Sequence, residues 1–114
     1  MDITAIIDIE ELKEIMDNDT ELIKECFDEF RNEWPEAFGN VEKAVNEKNS
    51  SQLDEAAHKL KGTLRYLAAG PAQQAASDLE TAGKKQHIEN LEKKLALLKK
   101  KGLELIDYME KYGS

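Results

Sequence analysis

A chain of 114 residues can bury one core of ordinary size, and a single domain over residues 1–114 is expected. With 35% charged residues, 6% aromatics, two prolines and six glycines, the composition points to helices and excludes a turn-rich β fold. A net charge of −8 argues against nucleic acid as a partner, and the lone Cys26 excludes an internal disulfide and a cysteine-based zinc site.

No apolar run approaches the length that spans a bilayer, and Met1-Asp2-Ile3 lacks the basic start of a signal peptide. A cytoplasmic location is expected. The charge is unevenly spread: residues 1–49 hold 15 acids and 5 bases, residues 50–114 hold 9 acids and 11 bases. The second half can present a basic surface on an acidic protein, or simply solvated helix faces of opposite sign.

The pattern predicts five helices. The first runs from about Asp8 to Asp17, where Asp8 with Glu11 resembles a capping box and Leu12, Ile15 and Met16 form an apolar side. The second starts near Asn18 or Asp19 and ends around Lys48-Asn49. Ile23, Phe27, Phe30, Trp34, Phe38, Val41 and Val45 recur along it at spacings of three and four. Pro35 is expected to bend it or break it in two. Cys26, next to Phe27, reads as a buried structural thiol.

Ser51 with Asp54 is expected to cap the third helix, whose inward stripe is Leu53, Ala57, Leu60, Leu64 and Leu67. Gly70-Pro71 stops it and starts a fourth, running to about Lys85. That helix packs through Ala72, Ala75, Ala76 and Leu79, and its small side chains allow close approach. The fifth spans about Ile88 to Tyr112, with Leu91, Leu95, Leu98, Gly102, Leu105 and Met109 in a seven-residue pattern. Four amphipathic helices with short connections make an all-α antiparallel four-helix bundle, with the short first helix as a cap. Packing inside that bundle explains the last helix better than a dimeric coiled coil, so a monomer is expected.

The chemistry concentrates in His58-Lys59-Leu60-Lys61-Gly62. Each helical residue turns by about 100°, which puts His58 roughly 160° from Leu60 and therefore toward water. An exposed imidazole is substantially neutral at pH 7, and its bare ring nitrogen is a nucleophile. Lys61 and Gly62 lie one turn along on the same side. Lys61 can attract phosphate oxygens, and Gly62 leaves room for a partner to approach. Glycine within a helix costs about 1 kcal/mol relative to alanine, so its presence asks for a reason. Lys59 and Arg65 add to the basic rim as binding residues. The same spacing also fits an ordinary solvated histidine.

Ala57-His58-Lys59-Leu60-Lys61-Gly62, then Leu67, then Leu79-Glu80, resembles the signature of histidine-phosphotransfer (HPt) domains of two-component phosphorelays. The acidic first helix, Phe30 through Pro35, and Ala44 fit as well. The resemblance implies a phosphocarrier that takes a phosphoryl group on His58 from receiver-domain aspartates and returns it. Lys61 would neutralise phosphate, and Gly62 would give access. Glu80 would hydrogen-bond the ring nitrogen that is not phosphorylated. Expected partners are response-regulator receivers and a sensor or hybrid histidine kinase, with Mg²⁺ in the receiver and no cofactor or metal of its own. Candidates for the apolar contact around His58 are Leu64, Tyr66 and the alanines of the fourth helix, some of which belong to the core.

The sequence departs from the family in two places. Ala68 stands ten residues after His58, where many members have glycine, and Leu64 and Arg65 replace small residues. Arg65 would either restrict which receivers dock or hold phosphate.

Two rivals come from other classes. Glu55 with His58 has the Glu-x-x-His spacing of di-iron bundles, but the second such pair is missing, since His87 is preceded by Lys84. The alternative is a non-catalytic bundle that only docks receivers. With no nucleotide-binding glycine loop, the chain is not expected to phosphorylate itself from ATP or to act as an enzyme.

Overall fold

The computed structural model describes residues 6–87 and 89–112. Five helices follow in chain order: α1 (Ile9–Ile15), α2 (Thr20–Asn46), α3 (Ser50–Tyr66), α4 (Gly70–Lys85) and α5 (Leu91–Lys111). Among the described residues there is no strand. Met1-Asp2-Ile3 and Ile88, the expected start of the fifth helix, lie outside the described residues.

Local chemistry fixes most of the helix ends. Asp8 accepts from the Glu11 amide at 3.1 Å, and Asp19 accepts from Glu21 and Leu22, also at 3.1 Å. The Asp8 amide donates to the Ala68 carbonyl at 2.9 Å, so the α1 cap also ties α1 to the α3–α4 corner. The cap of α3 differs from the expected Ser51: Asn49 holds that place, its side chain accepting from Gln52 at 3.0 Å. Lys48, with φ of 53°, has already turned the chain, so α2 stops at Asn46 and α3 starts one residue before Ser51. Asn90, with φ of 61°, similarly delays α5 to Leu91. Pro71 sits in the first turn of α4 as expected.

Pro35 neither ends nor divides α2, which runs unbroken through it. An interior proline costs about 3 kcal/mol. Trp34 and Phe38 on either side are buried, and their packing holds the helix together. Phe30, Trp34 and Phe38 form a ladder with ring centroids 5.7 and 5.2 Å apart, and Phe27 meets Tyr112 edge-on at 5.2 Å.

The pairs α2–α3, α3–α4, α4–α5 and α5–α2 all pack together, closing a four-helix bundle with α1 across one end. Leu53, Ala57, Leu60, Leu64 and Leu67 of α3 are all buried. So are Leu91, Leu98, Gly102, Leu105 and Met109 of α5, while Leu95 is half-buried. Cys26 is half-buried rather than buried. Burial and then Glu29 and Glu25 raise its pKa, so it stays a thiol. Ala68 takes φ of 56°, in the left-handed region where glycine carries no strain and a side chain does.

Two glycines permit the close approaches. A Cβ on Gly102 would enter the Trp34 ring. A Cβ on Gly83 would lie 2.7 Å from the Asp54 amide nitrogen and 2.9 Å from the Ser50 carbonyl oxygen. The obstacle at Gly83 is backbone, which cannot swing aside. Gly83→Ala is therefore expected to destabilise the bundle by about 2–3 kcal/mol despite alanine's better helix propensity. Urea denaturation measures this, and an unchanged midpoint would contradict it.

Candidate functional site

His58 lies near the middle of α3, on the side away from Leu60, and its side chain is 68% exposed. Helical phase puts it there: the buried Ala57, Leu60 and Leu64 fix the inward face, and His58 falls outside it. Glu80 of α4 stands opposite. Among the described residues it is the one buried charged residue, at 4% exposure.

Glu80 holds two partners. One carboxylate oxygen, Oε2, contacts His58 Nδ1, and the other, Oε1, accepts from Lys61 Nζ at 2.6 Å. The hydrogen bond from Lys61 holds the Glu80 carboxyl below the usual carboxylate range; burial pushes it up, and the bond with His58 lowers it further. Glu80 is therefore a carboxylate at neutral pH. As an acceptor-only group it requires the proton on His58 Nδ1, which fixes the tautomer of the neutral ring as the one with Nε2 bare.

The three side chains meet because α3 and α4 run close together. Ala72, Ala75, Ala76 and Gly83 line the α4 face that allows this, and Lys84 of α4 pairs with Asp54 of α3 at 3.1 Å. Glu80 is four residues after Ala76 and three before Gly83, on the margin of that face.

The remaining candidates divide. Gly62 is exposed, and a Cβ there would meet nothing within 4 Å, so the space beside His58 is open. Arg65 is exposed further along the same strip. Lys59 points elsewhere, lining a groove of about 230 Å³ between α2 and α3 with Glu33, Glu36 and Trp34. The candidates for the apolar contact separate. Leu64 and the alanines Ala72, Ala75 and Ala76 are core and cannot meet a partner, whereas Tyr66 is 52% exposed.

Sequence reasoning placed Lys61 free on a solvent face, but it is half-buried and bound to Glu80. It also missed Gly83 and the Asp54–Lys84 pair. The sequence signal for Gly83 was its place among the small residues of α4. Among the described residues no group of three His, Cys, Asp or Glu side chains gathers to hold a metal ion, and no helix is long and apolar enough to cross a membrane.

An all-α bundle presenting one histidine to solvent, backed by a buried carboxylate from the next helix, defines the class of helical histidine modules. A sequence profile of the Hpt domain matches residues 25–111, and the chain belongs to that family. The match covers α3, α4, α5 and most of α2, leaving out α1. Neither the curated proteins nor the solved structures compared with the chain give a significant match. Membership carries a histidine phosphotransfer role in two-component signalling, as a phosphocarrier rather than a kinase domain, acting with receiver domains and kinases.

Proposed function

We propose that His58 is the phosphoacceptor, taking a phosphoryl group from a receiver aspartate and passing it to another. The observation that carries this is the division of the imidazole between two environments. Nδ1 is held by Glu80, while no protein group among the described residues bonds Nε2 on a ring 68% exposed.

In the transfer, the Nε2 lone pair attacks phosphorus and the bond from phosphorus to the aspartyl oxygen breaks, releasing the receiver carboxylate. No proton moves, because Nδ1–H stays on the bond to Glu80. The ring becomes a phosphoimidazolium whose positive charge faces the Glu80 carboxylate. The reverse step restores the neutral ring. The receiver brings Mg²⁺ and its acidic site, and this chain brings the nucleophile and a basic rim.

The test is rapid-quench labelling with phosphorylated receiver domains, followed by mass spectrometry at neutral pH. The label is expected on His58, lost in acid and retained in base, with none from ATP alone. Failure with every cognate receiver would leave a docking-only bundle.

Gly62 gives an independent check on access. Because a side chain there meets open space, Gly62→Gln should fold normally and gain up to about 1 kcal/mol of helix stability. It should nevertheless slow transfer from a receiver at least tenfold, by filling the approach to Nε2. Transfer at the parent rate would refute the access argument.

A further inference from the structure

The ion pair between Lys61 and Glu80 leaves open which cation receives the phosphoryl group once it is on His58. Lys61 Nζ sits 2.6 Å from a buried carboxylate whose only other partner among the described residues is His58. Moving it onto phosphate would leave half of that carboxylate unpaired in the bundle wall. Lys59 lies about 100° round the helix from His58 and lines the α2–α3 groove beside Glu33 and Glu36.

Arg65 is placed differently. It is seven residues after His58, so it lies within about 20° of the same line and about 10 Å along the axis. Helical side chains lean toward the N-terminus, which carries the guanidinium back toward His58. The position it crosses is Gly62, where no side chain intervenes and the space is open. Arg65 is exposed, and among the described residues no carboxylate pairs with it. On the other side of His58, one turn toward the N-terminus, stand Asp54 and the exposed Glu55. Asp54 is neutralised by Lys84, and among the described residues no cation pairs with Glu55, so phosphoryl oxygens are repelled toward Gly62.

We propose that Arg65 is the phosphoryl-binding residue of this chain, its guanidinium reaching over Gly62 to the oxygens of the group on His58 Nε2. Lys61 keeps its partner Glu80 and acts as a positioning residue for the imidazole. Gly62 then has two uses: it admits the receiver and clears the path of Arg65. This assignment rests on His58 carrying the phosphoryl group. The planar fork of arginine suits phosphate oxygens bidentately, which a lysine at the same place cannot reproduce.

The test separates phosphate binding from receiver docking. The full chain is phosphorylated with phosphoramidate, or from a phosphorylated receiver that is then removed, and the phosphoryl group is titrated by ³¹P NMR. A nearby cation favours the dianion and lowers the phosphoryl pKa. Arg65→Ala should raise that pKa by about half a unit or more, and Arg65→Lys should fall between it and the parent. Lys59→Ala removes the same charge from the α2–α3 groove and should shift the titration less than Arg65→Ala does. The equilibrium between phosphorylated receiver and phosphorylated His58 should also shift about tenfold toward the receiver in Arg65→Ala. A parental titration in Arg65→Ala, at parental loading, overturns the proposal. So does an equal shift in Lys59→Ala, which would mean a general charge effect. Absence of label on the parent from either donor is a different failure, and removes the phosphocarrier reading itself.

Discussion

His58→Gln is expected to abolish phosphoryl labelling by any receiver while changing stability by no more than about 0.5 kcal/mol. The two halves of this expectation have separate causes. Labelling disappears because glutamine has no nucleophilic nitrogen: its amide lone pair is delocalised into the carbonyl. Stability survives because the side chain is 68% exposed and outside the core, and the Gln amide can still donate to Glu80. His87→Gln is the control. His87 follows α4, its backbone amide bonds the Ala82 carbonyl at 2.9 Å, and its side chain is exposed. It should label at the parent rate. Quenched labelling with site mapping, alongside thermal melts, measures both properties. Label persisting in His58→Gln would place the acceptor elsewhere.

The bundle was legible because its signal is periodic. Apolar residues at three- and four-residue spacing fix which side of each helix faces inward, and that phase alone predicts that His58 faces out. Helix ends were read less well, since they turn on single residues. Asn49 rather than Ser51 caps α3 because Lys48 adopts a left-handed φ, and no pattern of hydrophobicity reports that. The survival of α2 through Pro35 depends on the packing of Trp34 and Phe38, which belongs to tertiary structure.

The site divided in the same way. His58 and Gly62 depend only on their own helix, and the sequence placed both. Lys61 depends on a partner across the interface, so helical phase showed it beside His58 but not that Glu80 had captured it. Glu80 was anticipated as a partner of the histidine only through the family resemblance. Its burial follows from the close α3–α4 approach that Gly83 permits, a three-dimensional fact with only a weak trace in sequence.

Lys61→Ala should destabilise the fold at neutral pH by about 1–3 kcal/mol, more than a solvent-facing lysine would. The substitution leaves the buried Glu80 carboxylate with His58 as its one partner among the described residues. The figure stays below that of a fully buried pair because Lys61 retains 27% exposure and water can reach part of the gap. The dependence on pH separates this from lost packing. In the parent the Glu80 carboxyl is held below the usual carboxylate range, so its contribution is fully present above that range and is lost as pH falls through the lower folded value. In Lys61→Ala the largest lowering influence is gone and burial pushes the carboxyl upward, opposed only by His58. Protonating Glu80 then relieves the variant while it weakens the parent. Urea denaturation at pH 7 and near pH 4 should show the gap between the two proteins narrowing in acid. A gap of the same size at both values would mean that Lys61 supports the fold through its aliphatic chain and not through its charge.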